Sequence, residues 1–219
     1  MPIRLLIFDL DGTLVDSSQD IADALNYAIK PYGVPEITVT ETIALVGEGV
    51  RRLIGKVIEQ KNGGMDESQL LHRFIEYYSQ HLIDHTLPYP GTEEALQHLW
   101  PYSKAVVSNK NENFTVDILG NLGLLKYFDY VAGGDTISEK KPSPAPVLRV
   151  LKRFGVEPNG ALLVGDSIYD MEAGRRAGLR RVAAMYGYGS PGFSEAADYR
   201  ISSIGELPAL LAQIDARGD

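Results

Sequence analysis

The chain has 219 residues, 44% of them hydrophobic, and 29 acidic against 21 basic side chains leave a net charge of −8 at pH 7. That composition fills a core for one or two domains and disfavours nucleic acid as a partner, because phosphate backbones are held by clustered Lys and Arg. Zero cysteines exclude disulfides, zinc–thiolate centres and thiol nucleophiles. No apolar run approaches the roughly 18 residues of a membrane span, and residues 3–8 are too short for a signal-peptide core. The expectation is a soluble, cytoplasmic protein, with no membrane or nucleic-acid partner, that works on something small.

In chain order, residues 3–8 (IRLLIF) predict a buried strand that runs into the turn DLDGT. Residues 17 to 85 contain no strand pattern. Three helical stripes follow one another there: Ile21, Leu25, Ala28 and Ile29, then Leu53, Ile54, Val57 and Ile58, then Leu70, Leu71, Phe74, Ile75, Tyr78 and Leu82. The chain leaves through residues 15–18 and returns through residues 85–91, which carry two prolines and a glycine. Strands are then predicted at 104–107, 130–132, 161–164, 181–185 and, from a weaker pattern, 199–202. Asn111 is placed to cap a helix carrying Phe114, Ile118 and Leu122. Residues 144–154 read as another helix, with Ser143 as N-cap, an inward stripe of Val147, Leu148, Leu151 and Phe154, and Gly155 past its end.

Short strands alternating with helices imply an α/β protein with a parallel, Rossmann-like sheet covered on both faces. The expected core domain comprises residues 1–15 and 86–219. Residues 16–85 form a smaller, all-helical insertion; the competing reading is one long helical crossover packed on the sheet.

The chemical signal lies at the strand ends. Asp9 and Asp11 follow the first strand, Ser108 and Asn109 the second, and Asp166 a later one, with Asp170 four residues on. In open parallel sheets, ligands bind outside the carboxyl ends of the strands. Four carboxylates gathered there are costly unless a cation sits among them or protons are retained. Oxygen ligands without cysteine point to Mg²⁺, and Lys141 is placed to offset further charge. Each residue also has a plainer reading: Asp11-Gly12 as a simple turn, Asp166 as a helix cap with Asp170 on the solvated face, Lys141 as a surface loop residue, and Ser108 as a strand-end hydroxyl.

Taken together, Asp9-Leu10-Asp11-Gly12-Thr13, Ser108-Asn109, Lys141-Pro142 and Gly165-Asp166-Ser167 with Asp170 occur in an order that resembles the haloacid dehalogenase superfamily of phosphohydrolases. The match spans nearly the whole chain, and the helical insertion looks like that family's cap. The resemblance implies Asp9 as a nucleophile forming an aspartyl-phosphate and Asp11 as general acid, then base. It implies Mg²⁺ held by Asp9, the Asp11 carbonyl and Asp166, with Asp170 supporting from behind. Ser108 and the Asn109 N–H would bind a phosphoryl oxygen, and Lys141 would pair with Asp9 and the transferring group. The second carboxylate, Asp11, indicates a phosphate-ester enzyme rather than a dehalogenase.

Substrate choice is expected in the insertion, at Gly47-Glu48-Gly49-Val50-Arg51-Arg52. There a glycine-rich turn opens a helix whose N–H groups suit an anion, and Arg51 or Arg52 is positioned to fork a carboxylate; a plain interhelix turn with solvated arginines is the alternative. The GEGV pattern, Tyr89-Pro90-Gly91 and KKPSPAP look like the phosphoglycolate phosphatase branch. Pyrophosphatases, nucleotide phosphatases and β-phosphoglucomutase share the cap type. The implied partner is a small phosphorylated metabolite, and the chain is expected as a monomer or homodimer. A rival from another class is a receiver-like signalling module that stores a phosphoryl group on aspartate; it has no use for Asp11 or a covering insertion. His72, His81, His85 and His98 are expected away from the acidic cluster, and Trp100 is expected in packing.

Overall fold

The four residues of β1 (Leu5–Phe8) are completely buried and lie inside the sheet. The structure is a computed structural model that describes residues 2–61, 64–190 and 192–217. Around β1 stand β4 (Ser103–Val107), β5 (Tyr130–Ala132), β6 (Ala161–Gly165), β7 (Arg180–Ala184) and β8 (Tyr199–Ile201). Their spatial order is β5-β4-β1-β6-β7-β8, and every pairing is parallel. Phe8 is level with Val106 on one side and Val164 on the other, so the residues that follow emerge at one edge.

Alternation along the strands divides the core in two. Leu6, Phe8, Val106, Leu162 and Val164 share a cluster with residues of α5 (Thr92–His98), α6 (Glu112–Asn121) and α9 (Leu207–Arg217). Leu5, Ile7, Ala105, Val107 and Leu163 pack on the opposite face with α7 (Ala145–Phe154) and α8 (Ile168–Ala177). This is the expected α/β, Rossmann-like architecture.

The helices of the insertion are α1 (Ser18–Ile29), α2 (Val39–Leu45), α3 (Val50–Gln60) and α4 (Glu67–Tyr78). They pack chiefly on one another, α1 against α4 and α2, and α3 against α4. The two segments that join them to the sheet pair as an antiparallel ribbon, β2 (Val15–Asp16) with β3 (Leu87–Pro88). Beside it the buried Asp20 carboxylate accepts from the His85 and Thr86 N–H groups at 3.0 and 2.9 Å, and from Thr86 Oγ1 at 2.6 Å.

Four sequence expectations are corrected here. Helix α7 starts at Ala145 with Pro144 in the cap position, and Ser143 Oγ instead accepts from the Ala145 N–H at 3.2 Å. Leu148 is 44% exposed, because the inward positions at helical spacing are Val147, Val150 and Leu151. Trp100 is 80% exposed: it follows the end of α5, where Leu99 takes the inward position. Asn111 does precede α6, but its amide donates to Asp135 Oδ2 at 3.0 Å rather than capping the helix. Among the described residues no helix is long and apolar enough to cross a membrane.

Candidate active site

Because β4 and β6 flank β1, the residues just past these strands converge. Asp9 Oδ1 accepts from the Leu10 N–H at 2.7 Å and pairs with Lys141 Nζ at 2.9 Å. Lys141 is buried, and its ammonium also donates to Asp170 Oδ1 at 2.6 Å. Asp170, fully buried in the first turn of α8, closes a capping box: its Oδ2 accepts from Ser167 N at 3.1 Å and Ser167 Oγ at 2.5 Å. The third carboxylate, Asp166, accepts from Thr13 Oγ1 at 3.0 Å and from the Tyr188 N–H at 2.7 Å. One oxygen from each of Asp9, Asp166 and Asp170 lies within 4.8 Å of the others.

Three carboxylates thus face one ammonium. Burial and then the Asp170 charge push the Asp9 carboxyl up to about 7, with Lys141 pulling the other way. Burial, Asp170 and Asp9 raise Asp166 well above the usual carboxylate range. Burial works against the Lys141 charge, but Asp170 and Asp9 outweigh it and hold the ammonium protonated. A hard dication matches this set of oxygens and its excess negative charge.

Asp11 sits beyond the strand in a tight turn, where the Gly12 N–H donates to the Val15 carbonyl at 2.9 Å and the Val15 N–H to the Leu10 carbonyl at 3.1 Å. Gly12 has φ +80°, and a β-carbon there would overlap the Asp166 carboxylate. Asp11 Oδ1 accepts from Ser17 Oγ at 2.5 Å and from Lys110 Nζ at 2.6 Å. Asn109 is a clamp. Its amide donates to the Gly47 carbonyl at 2.7 Å and the Lys141 carbonyl at 2.8 Å, and its Oδ1 accepts from the Lys141 N–H at 2.9 Å.

Asp9, Asp11, Ser108, Asn109 and Asp166 form the floor of a cavity of about 200 Å³. Its roof comes from the insertion and α6, with Ile21, Val46, Val50, Leu53, Phe74 and Phe114. The volume lies below the roughly 300–1,000 Å³ usual for small-molecule sites.

Residues 6–184 match the family model of the haloacid dehalogenase-like hydrolases. The chain belongs to that family. It is 40% identical over 211 residues to a phosphoglycolate phosphatase of Aquifex aeolicus, covering 95% of this chain and 97% of the relative. A phosphoglycolate phosphatase of Chromobacterium violaceum is 36% identical, with 95% and 96% covered. The crystal structure of a predicted phosphoglycolate phosphatase from Haemophilus somnus 129pt superimposes with a TM-score of 0.89 at 29% identity, covering 95% of this chain and 97% of the other.

Within this haloacid dehalogenase-like frame, Asp9, Asp11, Ser108, Asn109, Lys141, Asp166 and Asp170 are gathered at one edge of the sheet. Asp170 lies buried behind Lys141, not on a solvated helix face, and Lys141 is no surface residue. Of the insertion residues, Gly47 and Gly49 line the cavity, and Glu48 pairs with Lys56 at 2.6 Å. Arg51 and Arg52 are not brought to the cavity. Both are exposed, and Arg52 pairs with Glu59 at 2.8 Å, since α3 turns Leu53, Ile54 and Val57 inward. The cations in the cavity wall are Lys56 and Lys110, neither of which sequence reasoning singled out. Tyr188 was also missed: its phenol accepts from the Ser17 N–H and donates to Asp16 Oδ1, both at 2.8 Å. The signals available were Lys110 directly after Ser108-Asn109 and the tyrosine–glycine pattern of residues 186–189. The four histidines are exposed or half-buried, away from Asp9. His85 lies near Asp20 and Asp23, but Asp20 is engaged by the backbone.

Proposed function

We propose that the chain hydrolyses a small phosphomonoester through an aspartyl-phosphate, with 2-phosphoglycolate as the substrate. The observation that carries this reading is the state of the Asp9 carboxylate. Its Oδ1 is held by Leu10 and Lys141, which leaves Oδ2 as the oxygen that attacks.

In this reading Oδ2 bonds to phosphorus as the bond from phosphorus to the ester oxygen breaks. Asp11, whose Oδ1 is anchored by Ser17 and Lys110, gives its proton to the departing alkoxide. It then takes a proton from the water that attacks phosphorus, which frees phosphate and restores Asp9. Ser108 and the Asn109 N–H hold a phosphoryl oxygen, and Lys141 steadies both Asp9 and the transferring group. Asp9, Asp166 and the Asp11 carbonyl would hold Mg²⁺, with Asp170 orienting Lys141 from behind. When bound, Mg²⁺ supplies charge neutralisation at the phosphoryl oxygens. Residues 16–85 act as a cap on a core of residues 1–15 and 86–219, and the cap closes the cavity over the ester.

Two observations support a two-carbon acid. The cavity is small, which suits a small ester, and relatives at 40% and 36% identity are named phosphoglycolate phosphatases. A screen of phosphorylated acids, sugars, nucleotides and pyrophosphate, with and without Mg²⁺, tests the reading. The near-isosteric Asp9→Asn should lower kcat by roughly 10⁴–10⁶-fold while the melting curve stays cooperative. Wild-type turnover in that variant removes Asp9 as nucleophile, and a clear preference for another ester removes the substrate assignment.

A further inference from the structure

We infer that Lys110 selects esters whose alcohol carries a carboxylate, by taking that carboxylate on its ammonium group beside Asp11. The inference rests on the reading above, in which phosphorus meets Asp9 Oδ2 and the bridging oxygen meets Asp11.

Lys110 follows β4 and lines the cavity with its side chain only 8% exposed. Its Nζ donates to Asp11 Oδ1 at 2.6 Å and to Tyr78 Oη, on the last residue of α4, at 2.7 Å. An ammonium has three N–H groups, so one remains for a ligand. The Tyr78 phenol, pushed up to about 12 chiefly by burial, keeps its own hydrogen and offers a second donor beside the first.

Two other lysines are paired with carboxylates away from Asp11. Lys56 is neutralised by Glu48 and also donates to the Leu45 carbonyl at 3.2 Å. Lys141 is divided between Asp9 and Asp170. The roof side chains Ile21, Val46, Val50, Leu53, Phe74 and Phe114 carry no hydrogen-bonding group.

Geometry then decides. A general acid lies within about 2.6–3.2 Å of the oxygen it protonates. Lys110 Nζ stands one further hydrogen bond away, at 2.6 Å from Asp11. In an α-phosphooxy carboxylate the carboxyl group is one carbon from that oxygen, so binding the ester at Asp9 and Asp11 delivers its carboxylate to Lys110 and Tyr78. An alkyl ester of the same length leaves the buried ammonium without this partner, and a site built to bond a group rejects analogues that lack it.

The test compares kcat/KM for 2-phosphoglycolate and ethyl phosphate in wild type, Lys110→Met, Lys110→Arg and Tyr78→Phe, with circular dichroism and melting curves as the folding control. Wild type should favour 2-phosphoglycolate by roughly 100-fold or more. Lys110→Met should lose most of that ratio, with ethyl phosphate turnover falling far less, while Lys110→Arg keeps part of it. Tyr78→Phe should lose a smaller share, and it carries the test if Lys110→Met does not fold. Equal losses on both esters would show that Lys110 only positions Asp11, and would overturn the inference. So would a wild-type ratio near one. Wild-type enzyme inert toward every phosphate ester would instead overturn the phosphatase reading itself.

Discussion

The charge balance at Asp9 makes a quantitative prediction about pH. Its carboxyl is raised from 3.8 to about 7 without a divalent cation. Each unit corresponds to about 1.4 kcal/mol, so about three units amount to about 4 kcal/mol. The sign follows from proton linkage. Between pH 4 and pH 7 the folded state retains a proton that the unfolded chain has lost, so this contribution to stability is present below pH 4 and is lost as pH rises through 7. Asp9→Asn removes the ionisable group and leaves Lys141 paired with Asp170. In chelator, wild type and Asp9→Asn should therefore have similar stability near pH 4, and Asp9→Asn should become the more stable by a few kcal/mol at pH 8. Added Mg²⁺ should close that gap, and should raise the wild-type melting temperature more at pH 8 than at pH 5.5. Urea melts of both proteins at several pH values, with chelator or Mg²⁺, supply the measurement. A stability difference that does not change with pH, or equal Mg²⁺ stabilisation at both pH values, would refute the reasoning.

Two further substitutions probe the supports of the site. Gly12→Ala combines an unfavourable φ of +80° with overlap on Asp166. It should cost about 1–3 kcal/mol and weaken Mg²⁺ activation by about 10–100-fold, read from a melting curve and an Mg²⁺ titration of turnover. Asn109→Ala removes the amide that ties Gly47 to both polar groups of the Lys141 peptide. Leaving that buried N–H unpaired should cost about 1–3 kcal/mol, seen in urea melts, and kcat should fall because the Lys141 loop loses its anchor.

The parts of the site that were legible in the sequence are those written at strand ends. Apolar runs mark β1, β4 and β6, and a polar residue that stops such a run must lie at the edge of the sheet. Asp9, Ser108 and Asp166 were therefore readable as a group once the strands were taken as neighbours, and β1 does lie between β4 and β6. Lys141 has no such mark. Its burial depends on a loop folded back under Asn109, so the residues alone allowed a surface position as readily as one that offsets the carboxylates. In the cap, the glycine-rich turn drew attention to the adjacent arginines. Helical phase overrides that proximity: Val50, Leu53 and Ile54 turn inward, and Arg51 and Arg52 point out.

Lys110 was missed for a related reason. A residue in the loop after a strand has no periodicity to show where it points, and its importance depends on Tyr78, 32 positions away in the chain. That contact joins the floor of the cavity to its cap, as Asn109 does through Gly47. Both links leave from consecutive residues just after β4, so the loop that follows this strand also holds the helical insertion above the cavity. On the function proposed above, an ester seated on Ser108 and Asn109 reaches the cap through the same short segment. On the proposed function, recognising phosphate and enclosing the rest of the substrate are coupled by chain continuity, and need no additional element.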